Sequence, residues 1–277
     1  MPKSQWRAQP PPHCTTARSV VYYSAHASVY SNKIPDMKYA SNRNQRIAYD
    51  LTGQGPAVVL QHGFLDNRRS WQALGYVAAL VDKFTVITID SLGHGDSDKP
   101  SDAECYTREQ RANDIAAVLN AESIDRAHYV GYSMGGWLGM GFLAHHPQRL
   151  LSITIGGWDP DEQADRPLSV DIDQFIEMAR SVAPELVEWV TPDVKVGLAG
   201  CLAALRVAEI EVDTLINCKL PVHLWTGNED LCFEPLKKLS AKIPGSTLSE
   251  VKGDHIAAMA ISNSVSAEAI RRFIESV

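Results

Sequence analysis

The stretch Gly131-Tyr132-Ser133-Met134-Gly135 stands between a β-rich run and an apolar segment, residues 134–146, whose composition favours a buried helix. A serine on such a strand-to-helix turn needs small neighbours, because the backbone must pack closely while the hydroxyl projects. The backbone N–H that follows the serine then lies at a helix N-terminus, where donors are unpaired and the helix dipole favours negative charge. The pattern predicts Ser133 as a nucleophile and the N–H of Met134 as a donor to an oxyanion.

Outward from this turn, short β-rich runs alternate with helical stretches from residue 46 onward. This alternation predicts an α/β fold with a mostly parallel, eight-stranded-type sheet and helices on both of its faces. The candidate strands are Arg46–Leu51, Ala57–Gln61, Phe84–Asp90, Ala127–Tyr132, Leu150–Ile155, Pro221–Thr226 and Thr247–Val251.

Helix signals fill several of the intervals between these runs. Thr107 can cap a helix with Ile115 and Val118 on its apolar side and with Glu109 and Asp114 on its outer side. Residues 234–243 and 264–275 predict two further amphipathic helices.

The alternation divides the chain into four segments. Residues 37–157 and 216–277 are expected to form the two parts of the core, and residues 158–215, with their helical patterns, to form a small cap over the strand ends. One long ordinary crossover is the alternative for 158–215. Residues 1–36 are rich in Ser and Pro and lack acidic residues before Asp36, which fits a poorly structured or processed extension, including a transit peptide.

A nucleophilic serine needs a base, and the base needs an orienting carboxylate. His255 follows the last candidate strand and Asp230 follows the one before it, so the catalytic order would be Ser133, Asp230, His255. Glu229 and Asp159 remain alternatives for the acid.

The second oxyanion donor should come from the loop after the strand that ends at Gln61, where His62-Gly63-Phe64 stands. The backbone N–H of Phe64 is the candidate, and a bracing role is expected for the His62 side chain. The glycine- and acid-rich run from Asp90 to Ser97 fits a structural tight turn beside the site.

These motifs together resemble the α/β-hydrolase superfamily. The resemblance rests on HGF at 62–64, DSLGHGDSD at 90–98, GYSMGG at 131–136, GNED at 227–230 and GDH at 253–255, in that order over residues 46–277. It implies the hydrolase fold, the triad and hydrolysis of an acyl bond, with no metal and no organic cofactor. The chain is most similar to serine esterases with a compact helical cap. It departs from dehalogenases and epoxide hydrolases, which have Asp where Ser133 stands, and it lacks an HGGG loop.

The amino-acid composition limits the classes of binding partner that we expect. The 277 residues carry a formal net charge of −7, which is unlike a nucleic-acid-binding protein, and no apolar run is long enough to span a bilayer. The five cysteines are widely spaced and form no CxxC pair, so a reducing, cytoplasmic setting is the simplest expectation.

We therefore expect a hydrolase of small carboxylic esters with short to medium acyl chains. Apolar residues in the cap, Phe175, Ile176, Met178 and Trp189, suggest either an apolar pocket or simple adhesion of the cap to the core. A lactonase, a C–C bond hydrolase and a cofactor-free perhydrolase can use the same triad, and a small-molecule receptor on the same fold is an alternative of another class.

Overall fold

The computed structural model describes residues 37–161, 170–207 and 212–277. The expected extension, residues 1–36, lies outside the described residues, and so do 162–169 and 208–211 of the segment expected to form the cap.

One eight-stranded sheet organises the described chain, with the order β1-β2-β4-β3-β5-β6-β7-β8. Strand β2 runs antiparallel to both of its neighbours, and the other strand pairs are parallel. The predicted α/β class with a mostly parallel sheet is thus confirmed. The strands are β1 Lys38–Asn42, β2 Gln45–Thr52, β3 Ala57–Gln61, β4 Thr85–Ile89, β5 Ala127–Tyr132, β6 Leu150–Gly156, β7 Val222–Gly227 and β8 Thr247–Val251.

Strand β1 is the one that the sequence pattern did not reveal. It is mostly exposed and lacks an apolar run, so it carries no buried-strand signal. It pairs with β2 through a two-residue turn at Arg43 and Asn44, which have φ of 51° and 60°. Two consecutive positive φ angles are typical of the type I′ hairpin turn, which usually has glycine or asparagine.

Helices cover both faces of the sheet. They are α1 Arg69–Ala73, α2 Tyr76–Leu80, α3 Arg108–Ala121, α4 Met134–His145, α5 Ile172–Val182, α6 Pro192–Ala204, α7 Asp213–Ile216, α8 Phe233–Lys242, α9 His255–Ala260 and α10 Asn263–Glu275.

Helix α3 begins where the sequence predicts, but a residue that was expected on its outer side is buried. The Thr107 side chain accepts a hydrogen bond from the Gln110 N–H, so it caps the helix. Asp114, expected on the outer side, is instead buried, where Asn42 Nδ2 donates to its Oδ1 at 2.7 Å. Strand β1 covers this face of the helix, and its presence could not be inferred from the helix pattern.

The central strands are buried on both faces. All five residues of β3 and all six of β5 are buried, as expected for parallel strands between two helical layers. Val58 and Leu60 face a cluster with α2 and α10, whereas Val59 faces a cluster with α3 and α4. The core therefore holds the carboxyl ends of β3 and β5 rigidly side by side.

A buried ion network holds the loop that follows β4. Arg68, only 1% exposed, pairs with Asp90, with Asp50 at 3.0 Å and with Asp96 at 2.8 Å. Asp90 also accepts the Asp96 N–H at 2.7 Å. Gly95 has a φ of +48°, and a Cβ there would lie 2.1 Å from Asp90 Oδ2. The loop has the structural role predicted for it, because one arginine ties it to α1 and β2.

We predict that Arg68→Met lowers the free energy of unfolding by about 3–5 kcal/mol, because it leaves buried carboxylates without their cation. Urea unfolding at neutral pH measures the change. Arg272→Met is the control, since the Arg272 side chain is 77% exposed in its ion pair with Glu268 and its loss should cost under about 1 kcal/mol. An equal effect of the two substitutions would contradict the network's role.

Two histidines within the sheet carry depressed pKa values. Burial lowers the pKa of His128 to about 4, with a smaller contribution from Arg126, and burial lowers the pKa of His223 to about 4. Each ring contacts a serine hydroxyl on the neighbouring strand, Ser152 at 2.8 Å and Ser249 at 2.9 Å. Both histidines are thus neutral in the folded protein at pH 5–7.

We predict that the free energy of unfolding falls between pH 7 and pH 5 by about 1–2 kcal/mol for each of these histidines. Below the ordinary histidine pKa of 6.5, the unfolded chain binds protons that the folded chain excludes, until pH falls to about 4. Urea unfolding across this range is the measurement. The double variant His128→Gln/His223→Gln should have a flatter pH dependence, and a slope equal to wild type would refute the assignment.

Candidate active site

The strand-to-helix turn places Ser133 at the carboxyl end of β5, immediately before α4. Its backbone has φ 54° and ψ −115°, an uncommon conformation for a residue with a side chain. Its N–H donates to Gly156 O at 2.8 Å, and its carbonyl accepts from the N–H of Gly136 at 2.8 Å. These bonds hold the turn in this conformation.

Glycines make this turn possible by close packing. A Cβ on Gly131 would lie 2.2 Å from Gly135 O, and one on Gly135 would lie 2.1 Å from the carbonyl oxygen of Gln61 at the end of β3. Both contacts are to backbone, which cannot move aside. The close packing of β3, β5 and α4 thus requires glycine at both ends of the Gly131–Gly135 motif.

Asp230 and His255 meet at the carboxyl ends of β7 and β8. The His255 Nδ1–H donates to Asp230 Oδ2 at 2.8 Å, and the Cys232 N–H donates to Asp230 Oδ1 at 3.0 Å. Because an ionised carboxylate only accepts hydrogen bonds, the proton of neutral His255 is on Nδ1 and Nε2 is an acceptor. Of the alternative acids, Glu229 is exposed and Asp159 accepts the Asp161 N–H.

The environment keeps Asp230 ionised. Its side chain is 3% exposed, whereas that of His255 is 42% exposed. Burial alone would raise the pKa of Asp230, but the hydrogen bond and electrostatic attraction of His255, with the bond from the Cys232 N–H, hold it below its ordinary value. A buried carboxylate therefore fixes one tautomer of a solvent-accessible imidazole.

Tyr132, which the sequence reasoning missed as a site residue, brings the histidine to the serine turn. Its hydroxyl donates to the backbone oxygen of His255 at 2.5 Å, and the two rings lie 5.1 Å apart. Tyr132 directly precedes Ser133 on β5, so this contact joins the end of β5 to the start of α9. No sequence motif signals the contact, because it joins residues that are 123 positions apart.

The loop after β3 borders the nucleophile. A Cβ on Gly63 would lie 3.4 Å from Ser133 Cβ and 3.9 Å from its Oγ. Within the described ranges, the backbone N–H groups of Phe64 and Met134 donate no hydrogen bond. The two N–H groups that the sequence predicts as oxyanion donors thus have no hydrogen-bond partner in the described residues, and that of Met134 directly follows Ser133 in the chain.

His62 braces this loop, as expected. Its Nε2 accepts the Ser91 N–H at 3.0 Å, so Nδ1 carries the proton and donates to Gly63 O at 2.8 Å. Burial lowers the pKa of His62, which keeps the ring neutral. The loop continues through Leu65, whose φ of 64° is unusual for a residue with a Cβ.

Residues of the expected cap pack against this loop. The Phe175 ring lies edge-on to that of Phe64 at 5.1 Å, and Trp189 Nε1 donates to Leu65 O at 3.2 Å. Ile176 is buried in the same cluster, but Met178 is 50% exposed and so is not a pocket residue. The apolar helix face covers the loop, and Met178 lies on the opposite face.

No helix within residues 37–161, 170–207 and 212–277 is long and apolar enough to cross a membrane. In the same part of the chain, no three His, Cys, Asp or Glu side chains are grouped as metal ligands would be.

A family model described as the alpha/beta hydrolase fold matches residues 56–167. The chain has the α/β-hydrolase fold. Among solved structures, it superposes on the enol-lactonase of Burkholderia xenovorans LB400 with a TM-score of 0.72 and 22% identity, covering 86% of this chain and all of the other. At that identity the likeness concerns the fold.

Two curated relatives extend the comparison. An uncharacterized protein of Mycobacterium tuberculosis is 38% identical over 130 residues, which are 46% of this chain and 37% of that protein. The chain thus spans well under half the length of this relative. The 3-oxoadipate enol-lactonase 1 of Acinetobacter baylyi is 24% identical over 226 residues, which are 72% of this chain and 81% of the relative.

We predict that Gly135→Ala lowers the free energy of unfolding by about 1–3 kcal/mol, because the added methyl meets the Gln61 carbonyl and the backbone must shift. Alanine is the better helix former by about 1 kcal/mol, so a stabilised variant would show that the close contact is absent. Urea unfolding measures the change.

Proposed function

We propose that this protein is a serine hydrolase that cleaves small carboxylic esters with short to medium acyl chains through an acyl-enzyme intermediate. The observation that carries the proposal is the 2.8 Å hydrogen bond from His255 Nδ1 to buried Asp230, tied through Tyr132 to the strained turn at Ser133. This arrangement has the parts that activate a serine hydroxyl: a nucleophile, a base and a carboxylate that orients the base.

In the first half of the reaction, His255 Nε2 takes the proton of the Ser133 hydroxyl as Oγ attacks the ester carbonyl carbon. Asp230 holds the imidazole in the reactive tautomer and stabilises the imidazolium that forms. The N–H groups of Phe64 and Met134 bind the oxyanion, and one such donor is typically worth about 3–4 kcal/mol. The C–O bond to the alcohol then breaks, and His255 returns the proton to the departing alkoxide.

Water completes the cycle by the same steps. His255 takes a proton from water as the oxygen attacks the acyl-enzyme carbonyl, and the same two N–H groups bind the second oxyanion. The bond to Ser133 Oγ breaks, the serine recovers its proton from His255, and the carboxylic acid leaves. This sequence consumes water only, so it needs no metal and no organic cofactor.

The apolar wall of Phe64, Phe175 and Trp189 favours a small apolar acyl or alcohol group. An ester of a small apolar acid buries its hydrocarbon there, while its carbonyl lies between the two N–H donors.

A lactone is the second candidate substrate, because a lactone is a cyclic ester and reacts by the same steps. The alignment with the 3-oxoadipate enol-lactonase 1 of Acinetobacter baylyi covers 72% of this chain and 81% of that protein. This favours a lactone over a C–C bond substrate or a peracid.

We predict that wild type hydrolyses p-nitrophenyl esters with a rate maximum at short or medium chains in the series from acetate to palmitate. Ser133→Ala should abolish turnover, and Asp230→Asn should lower kcat by about 10³–10⁴-fold because it favours the wrong histidine tautomer. Steady-state release of p-nitrophenolate is the measurement.

Circular dichroism and urea unfolding confirm that both variants are folded. Activity retained in Ser133→Ala would disprove the nucleophile. No ester turnover by folded wild type, together with turnover of a γ-lactone panel, would reassign the substrate to lactones. Tight retention of ligand without multiple turnover would support a receptor instead.

A further inference from the structure

Arg111 is a buried cation without a carboxylate partner in the described chain. It lies near the start of α3 and is 2% exposed. Its Nη1 donates to Cys201 Sγ at 3.3 Å and its Nη2 contacts Met134 Sδ at 3.7 Å. Sulfur is a weak acceptor, and a buried charge that lacks a good partner costs folding free energy.

No acid of the described residues forms an ion pair with Arg111, although the charge of Asp114 attracts it at longer range. Asp114, one turn along the same helix, directs Oδ1 to Asn42 and Arg43, with the Arg43 Nη2 at 3.1 Å. The central acids Asp50 and Asp90 pair with Arg68. The guanidinium of Arg111 thus retains its positive charge in a medium with little water.

The side chains of both predicted oxyanion donors rest on one buried group of residues, His94, Arg111 and Cys201, which we name the sulfur–arginine cluster. Met134 contacts Arg111, and the Phe64 ring lies 5.5 Å from that of His94. Cys201 joins the two, since its Sγ lies 3.3 Å from Arg111 Nη1 and 3.9 Å from His94 Nδ1.

Arg111 is the charged member of this cluster. Burial lowers the pKa of His94 well below its ordinary value, with help from His62 and Arg111, so the ring is neutral. Burial raises the pKa of Cys201, whose thiol donates to Leu92 O at 3.3 Å. Any electrostatic effect of the cluster on the oxyanion site therefore comes from Arg111.

We propose that Arg111 is a positioning residue that holds Met134 and supplies positive potential behind the oxyanion hole, so that it stabilises the charged tetrahedral intermediate more than the neutral ester. This inference rests on the proposed function. It also explains why a cation is buried at this position, where a hydrophobic side chain of similar volume could pack without loss.

The effect should fall on kcat. The ester carbonyl is neutral in the ground state and carries a full negative charge in the tetrahedral state, so a fixed cation favours the latter. At an effective dielectric of about 20, two unit charges separated by about 8–12 Å interact strongly enough to change such a rate by roughly ten- to thirtyfold.

The test compares Arg111→Met, which removes the charge and keeps the bulk, with Arg111→Lys, which keeps the charge. Arg272→Met, which removes one exposed cation, is the control. The measurements are kcat and KM for the best ester, the free energy of unfolding, and the Kd of phenylboronic acid.

Phenylboronic acid reports the charged state directly. The Ser133 oxygen bonds to boron while its proton passes to His255 Nε2, and the neutral trigonal acid becomes a tetrahedral anion. The adduct thus carries negative charge in the oxyanion site without any bond cleavage, and it can be measured even where ester turnover is slow.

We expect Arg111→Met to lower kcat by about ten- to thirtyfold and to leave KM within twofold of wild type. The Kd of phenylboronic acid should rise by about the same ten- to thirtyfold. Its free energy of unfolding should be unchanged or higher, and Arg111→Lys should recover most of the rate. Arg272→Met should stay within threefold of wild type.

Two results would overturn the inference. One is an Arg111→Met variant with wild-type kcat and boronic acid affinity. The other is that Arg111→Met and Arg111→Lys lose kcat equally and that both also lose free energy of unfolding. That result would show that Arg111 acts through packing alone. If Arg111→Met does not fold, Arg111→Gln against Arg111→Lys makes the same comparison. Wild type that neither hydrolyses esters or lactones nor binds the boronic acid would instead refute the proposed function.

Discussion

The geometry of the site depends on the contact between the backbone of the β5–α4 turn and the end of β3. The turn from β5 to α4 approaches the end of β3 so closely that a single methyl on Gly135 would meet the Gln61 carbonyl oxygen at 2.1 Å. This approach fixes the start of α4, and with it the strained backbone of Ser133 and the orientation of the Met134 N–H. It also places Gly63 against the serine, so that the loop after β3 becomes the second wall of the site. The remaining residues act on a geometry that these strands have already established.

Parallel strands explain how residues from distant parts of the chain converge. Ser133, Asp230 and His255 each follow the carboxyl end of a strand, and these ends lie on one edge of the sheet. Long-range contacts then refine the convergence: Tyr132 binds the backbone of His255, and buried Asp230 orients its ring. The sheet supplies proximity, and the hydrogen bonds supply orientation.

The buried polar groups divide into two kinds. Arg68 is paired with carboxylates and holds the loop after β4, so its charge is compensated where it lies. Arg111 contacts sulfur atoms and lies against the side chain of Met134, so in its proposed role its charge acts on the neighbouring oxyanion site. Burial strengthens the electrostatic effect of both guanidinium groups, because few water molecules screen them. The difference between the two arginines comes entirely from their surroundings.

The amino-acid sequence alone determined the α/β class, seven of the strands, the turn at Ser133 and the positions of Asp230 and His255. These follow from local chemistry: buried strands need apolar runs, and the turn needs glycine on both sides of a serine. The polar strand β1, the burial of Asp114 beneath it and the exposure of Met178 depended on which surfaces meet, which a local pattern does not specify. Only the tertiary structure decided that His255 pairs with Asp230 and not with Glu229, that Tyr132 binds the backbone of His255 and that Arg111 contacts sulfur atoms, because each contact joins residues that the fold alone brings together.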